Sequence, residues 1–145
     1  MKFERPKLER VFRRLNLHFD RVVDVGAEVG ASAELFREFG AVEVIGYEVD
    51  RNACKAADLS KFTNYFCRAM TLAEYLDYVR DGWFIKMDCE GCEADYITKA
   101  LPERGLISLH DWVFRHMEFA ETLQNNGFMP VFHSYDWREI TYLKC

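Results

Sequence analysis

Short apolar runs recur along the chain, each ending at a glycine, an acid or a histidine, and between them apolar residues return every three or four positions. Runs of the first kind read as strands buried on both faces, the second as one-sided helices. Their alternation predicts an α/β domain on a mostly parallel sheet. Leu8, Val11, Phe12 and Leu15 mark a helix, Val22 to Val25 a strand, Leu35, Phe36 and Phe39 a helix that Gly40 ends, and Val42 to Tyr47 a second strand. Arg51 to Leu59 reads as a helix, Phe62 to Cys67 as a third strand, and Thr71 with Glu74 as a capping box for a helix carrying Leu72, Tyr75, Leu76 and Val79. Trp83 to Met87 is a fourth strand. Tyr96, Ile97 and Ala100 mark a helix stopped by Pro102, and Leu106 to Leu109 a fifth strand reaching His110 and Asp111. Met117, Ala120 and Leu123 stripe a last helix, and Phe128 to His133 with Ile140 to Leu143 form an antiparallel pair joined at Tyr135 and Asp136.

The first strand runs into Val-Val-Asp-Val-Gly-Ala-Glu-Val-Gly, residues 22 to 30. Gly26 lets the chain turn sharply, and Gly30 lets backbone and the next helix approach a ligand, so Gly26, Ala27, Glu28 and Gly30 read as a cofactor loop. Asp24 at the strand's end and Glu28 in the loop would repel a pyrophosphate and accept hydrogen bonds from an ammonium group. Both favour a cationic ligand. Glu48, with Val49 beside it, ends the second strand at the place where an acid can accept both hydroxyls of an adenosine ribose. Arg68, Ala69 and Met70, at the carboxyl end of the third strand, are placed to flank an adenine ring.

A second informative turn follows the fourth strand. Asp88, Glu90 and Glu93 crowd one edge of the sheet, which is costly unless a cation, a metal or a shared proton relieves it. His110 reaches the same edge and is either a general base for an acceptor hydroxyl or a histidine bonded into the fold.

The 145 residues, half of them hydrophobic, suit one domain over 1–145, with an amphipathic helix in 1–19 packing on the core. A net charge of -5 argues against a broad grip on nucleic acid, and no run is long and apolar enough to cross a membrane. Five cysteines without regular spacing predict free thiols in a reducing compartment, hence a cytoplasmic protein. Cys89 and Cys92 lack a second cysteine pair, so no metal is expected and both read as small fillers.

Val-Asp-Val-Gly-Ala-Glu-Val-Gly and Ile-Lys-Met-Asp-Cys-Glu-Gly-Cys-Glu, with Gly-Tyr-Glu between them, resemble the FkbM family of S-adenosylmethionine-dependent methyltransferases. The resemblance starts near Arg21 and runs to the end of the chain. Family members carry Asn at the place of Glu28, and aliphatic or small residues at those of Cys89 and Cys92. The resemblance implies a Rossmann-like class I methyltransferase, a three-layer sandwich whose seven-stranded, mostly parallel sheet has an antiparallel last strand. It also implies S-adenosylmethionine on Asp24, Gly26 and Glu48, with Asp88 and Glu90 where cofactor and acceptor meet. That cofactor is cationic at its sulfonium and ammonium and has no phosphate, which suits Asp24 and Glu28 independently.

The expected reaction is methylation of a hydroxyl on a small molecule or sugar, with Asp88, Glu90 and His110 at the acceptor. The alternatives are a non-catalytic module that holds the cofactor, and a nucleic-acid or protein methyltransferase using the basic N-terminal face. No insertion is large enough for an acceptor-binding lid, so the site is expected to be open or completed by a second subunit or a partner protein.

Overall fold

The computed structural model describes residues 5–110 and 116–145. The expected roles of Asp111 and of the Met117 side chain lie outside the described residues. Seven strands, β1 (Arg21–Val25), β2 (Glu43–Tyr47), β3 (Asn64–Phe66), β4 (Phe84–Met87), β5 (Arg104–His110), β6 (Met129–His133) and β7 (Glu139–Lys144), form one sheet in the order β3-β2-β1-β4-β5-β7-β6. Strands β1 to β5 pair in parallel, and β7 lies antiparallel between β5 and β6. The helices are α1 (Arg5–Arg14), α2 (Ala31–Glu38), α3 (Arg51–Ala56), α4 (Leu72–Arg80), α5 (Glu93–Ile97) and α6 (His116–Asn125).

Side chains alternate across a strand, so each strand feeds two cores. Val23, Val25, Ile45, Tyr47, Ile85 and Met87 enter one of them, and Val22, Val44, Phe84 and Leu106 the other. Leu8 and Phe12 of α1 join the second core, where Phe12 sits 4.9 Å from Phe19 and 5.7 Å from Phe36 between ring centroids. Their aromatic packing is what holds α1 against the sheet layer.

The expected helix over Arg51 to Leu59 is divided. Helix α3 stops at Ala56, Ala57 is extended, and Asp58 caps a separate 3-10 turn at Leu59–Lys61 by accepting the Ser60 N–H at 3.1 Å. An acid that can bond its own downstream backbone competes with helix propagation at that point. The capping box of α4 forms as read, with the Glu74 N–H donating to Thr71 Oγ1 at 3.1 Å and the Thr71 N–H to Glu74 Oε1 at 2.9 Å. Arg68 grips the same carboxylate at 2.7 and 3.0 Å and Tyr47 donates to it at 2.7 Å; led by the Arg68 bond, these hold Glu74 down at about 2. A depressed folded-state pKa means that this contribution is present above the ordinary value of 4.5 and is lost as pH falls toward 2.

The expected free thiols are corrected by two disulfides, Cys54–Cys67 and Cys89–Cys92; Cys145 alone is free, and it is exposed. The β2–α3–β3 crossover brings Cys54 and Cys67 to a Cα separation of 5.9 Å, a juxtaposition that spacing along the chain does not reveal. With four cysteines bridged, thiol chemistry no longer argues for a reducing compartment. Replacing Cys54 and Cys67 by Ala is expected to cost about 3 kcal/mol, read from the urea midpoint under oxidising conditions; an unchanged midpoint would count against a stabilising role. Among the described residues, no helix is long and apolar enough to cross a membrane.

Candidate active site

A cavity of about 420 Å³ opens at the carboxyl ends of β1, β2 and β4, where open parallel sheets bind ligands. Its lining includes the buried apolar residues Val25, Tyr47, Met70 and Tyr96 and the acids Glu28, Glu48, Asp50, Asp88 and Glu90. Gly26, Val49, Arg68 and Ala69 also line it, whereas Asp24, Ala27, Gly30 and His110 stand behind the wall.

The β1–α2 loop is tied down from several sides. Gly26 and Ala27 donate their N–H groups to the Tyr47 carbonyl at 2.9 and 3.1 Å. Gly26 has φ +82°, and a Cβ there would lie 2.1 Å from the Asp88 carbonyl oxygen, so no side chain fits between the two ligand-facing turns. Glu28 is left-handed at φ 51°; its N–H donates to Glu48 Oε1 at 2.8 Å and its carbonyl accepts from the Tyr65 hydroxyl at 2.7 Å. Glu48 Oε2 accepts the N–H groups of Val49 and Asp50, both at 2.9 Å. A carboxylate offers about four lone-pair sites, so Glu48 both braces the loop and keeps capacity toward the cavity.

Asp24 is fully buried and directed into the fold. It lies opposite Lys86 in the β1–β4 ladder, and their side chains pair at 2.9 Å. Ser32 donates a short hydrogen bond to the other Asp24 oxygen, and the Lys86 ammonium also donates to the Gly26 carbonyl at 2.9 Å. Burial alone would lower the Lys86 pKa, but the negative charges of Asp24 and Asp88 outweigh it and hold the ammonium above the ordinary lysine value. Asp24, expected to meet a ligand ammonium, is thus paired with the chain's own cation and does not line the cavity.

The second acid turn is equally constrained. Glu93, fully buried, accepts the N–H groups of Cys89 at 3.1 Å and Gly91 at 2.7 Å. Behind the turn, His110 Nε2 lies 3.8 Å from Asp88 Oδ1 and 3.7 Å from Glu139 Oε2, while its Nδ1 lies 3.7 Å from Glu93 Oε1. Burial pushes the Asp88 and Glu93 carboxyls up, with His110 acting against it in both, and burial also raises Glu28, reinforced by Asp88. Asp88 alone of this group lines the cavity as well as lying beside His110. Asp88, Glu93 and His110 have donor atoms within 4.8 Å of one another, as do Cys89, Cys92 and Glu93. Both sets share Glu93, whose two oxygens already hold the turn.

Arg68 is the one lysine or arginine among the described lining residues, and its guanidinium is engaged by Glu74 and stacked 4.8 Å from the Phe66 ring centroid. Sequence reading missed Lys86, Ser32 and Glu139 as neighbours of the site. Lys86 alone left a signal, as a base inside an apolar run.

No family model matches the chain. It is 29% identical over 136 residues to "Uncharacterized protein 65" of Sulfolobus islandicus filamentous virus (isolate Iceland/Hveragerdi), covering 92% of this chain and 85% of the relative. It is 23% identical over 149 residues to "Uncharacterized protein 158B" of Sulfolobus islandicus rod-shaped virus 1, covering 95% and 89%. Among solved structures it is similar to the ribosomal protein L11 methylase of Lactobacillus delbrueckii subsp. bulgaricus, with TM-score 0.62 and 17% identity over 99% of this chain and 79% of that one. A chain of the E. cuniculi Mtq2-Trm112 complex gives TM-score 0.65 and 12% identity over 97% and 92%. An O-methyltransferase of Bacillus cereus, in complex with SAH, gives 0.58 and 9% over 99% and 82%. At these identities the likeness shows a Rossmann-like fold shared with class I S-adenosylmethionine-dependent methyltransferases.

Proposed function

We propose that this chain is an S-adenosylmethionine-dependent methyltransferase of the FkbM type that methylates a hydroxyl on a small molecule or sugar. The observation that carries the proposal is the charge of the cavity: its wall is acidic at Glu28, Asp88 and Glu90, and Arg68, the one lysine or arginine among its described lining residues, is engaged by Glu74. A wall of that kind suits a cation without phosphate and opposes a dinucleotide. Glu48, Val49, Arg68 and Ala69 would hold the adenosine end, and the Gly26 turn and Glu28 the methionine end. Asp24 acts through Lys86 to fix the loop.

When bound, S-adenosylmethionine supplies a methyl group already activated by its sulfonium. The chain's own residues position the partners and move one proton. Asp88, raised by burial yet open to the cavity, accepts that proton from the acceptor hydroxyl. His110 and Glu139 behind it share the added charge, and exposed Glu90 orients the acceptor at the rim. Glu90 at the acceptor end is exposed, so the acceptor side is open or is completed by a second subunit or a partner protein.

Calorimetric titration with S-adenosylmethionine and its demethylated product tests the reading. The intact chain should bind both, and Glu48→Ala should weaken each at least about tenfold, about 1.4 kcal/mol, with circular dichroism unchanged. Failure of the intact chain to bind either compound at about 1 mM would end the proposal.

A further inference from the structure

Cys89 and Cys92 have no role in that chemistry, yet both line the cavity and are bridged to each other. The bridge spans the acid-bearing turn. Asp88 precedes it, Glu90 and Gly91 lie inside it with φ of 52° and 121°, and Glu93 follows. Left-handed backbone at a residue such as Glu90 persists only where its surroundings impose it. Here the restraints are the bridge and the Glu93 carboxylate that accepts the Cys89 and Gly91 N–H groups.

Stability gives a weak reason for this bridge. Its cysteines are 3 apart in sequence, against 13 for Cys54 and Cys67, so it constrains the unfolded chain far less. Position gives a stronger one. Both cysteines are half-buried on a cavity wall that a small thiol can reach. The turn also abuts the glycine loop, because the Asp88 carbonyl occupies the space beside Gly26. A change of shape at Cys89 is therefore felt on both ligand-facing turns.

We propose that Cys89 and Cys92 are a redox-active pair in the wall of the active site, whose disulfide holds the Asp88 to Glu93 turn in its ligand-binding shape and whose reduction by a dithiol releases it. The proposal rests on the methyltransferase reading only for the identity of the ligand. A thiolate of the dithiol attacks one sulfur, the S–S bond breaks and a mixed disulfide forms; the dithiol's second thiolate then attacks that bond. Two electrons pass to the cysteine pair, the dithiol leaves as a disulfide, and its two protons end on Cys89 and Cys92. Two thiols must then stand at van der Waals distance where a covalent bond was, which opens the turn and displaces Glu90 and the Asp88 backbone.

The test uses the intact chain equilibrated in mixtures of reduced and oxidised dithiothreitol. Thiols are trapped by alkylation and located by mass spectrometry, and affinity for S-adenosylhomocysteine is measured on the same samples. Cys89 and Cys92 should open and close together and reversibly, with affinity about tenfold weaker in the reduced state. Cys89→Ser/Cys92→Ser should show the weaker affinity at every dithiol ratio, while Cys54→Ser/Cys67→Ser keeps the response. A pair that stays bridged at every ratio, or that opens with no change in affinity, overturns the inference and leaves the methyltransferase reading standing. A pair that cycles in a chain binding no cofactor in either state overturns the cofactor reading and the control of binding with it.

Discussion

Lys86→Met is expected to destabilise the fold by about 3–5 kcal/mol, measured by urea unfolding. The substitution nearly conserves volume, so packing is little disturbed. What it leaves is Asp24, wholly buried, with its cation gone and, among the described residues, the Ser32 hydroxyl still donating to it. The Gly26 carbonyl loses its donor as well, so the cofactor loop loosens at its root. Asp24→Asn combined with Lys86→Met removes the stranded charge and should recover at least half of the loss, because a buried pair replaced as a unit costs far less than one broken. A single-mutant loss below about 1 kcal/mol, in the range of an exposed pair, would show that the ladder position does not isolate these charges from water.

Affinity for S-adenosylmethionine should fall as pH is lowered through the range in which the raised carboxyls of Glu28 and Asp88 take up protons, by up to about tenfold per pH unit for each proton. Burial raises Glu28 and Asp88 in the folded chain. The sign for stability is that of raised acids: their contribution is greatest below the ordinary carboxylate value and is lost as pH rises through the raised one. Lys86 acts against that burial in both acids without cancelling it. A sulfonium and an ammonium in the cavity favour the ionised forms, so binding expels protons and strengthens with pH. Titrations in buffers of different ionisation enthalpy measure the protons released. Glu28→Gln/Asp88→Asn should flatten the profile, and a flat profile in the unsubstituted chain would mean that these acids do not face the cation.

Much of the architecture was legible because its determinants are local. The Thr71–Glu74 box, the glycine turn at Gly26 and the buried runs of β1, β2, β4 and β5 each lie within a few residues, where torsional preference and periodicity act directly. The same holds for the places of Glu48 and Asp88, which follow from where strands end. The end of α3 was not legible, since Asp58 turned its cap toward a separate 3-10 turn. Nor were the partners of the acids. Asp24 reads alike whether it meets a ligand or Lys86, and only the parallel register, 62 residues apart, puts the two opposite each other.

By itself the sequence determined the element order, the mostly parallel sheet and the carboxyl edge as the place of the cavity, because hydrophobic period and turn residues act over short spans. The tertiary structure alone decided which acids face the cavity and which are consumed inside the fold, which cysteines pair, and that His110 stands behind Asp88 among three carboxylates. Those outcomes depend on register and packing between distant segments, and a charge's effect is set by its neighbours and its burial rather than by its place in the chain.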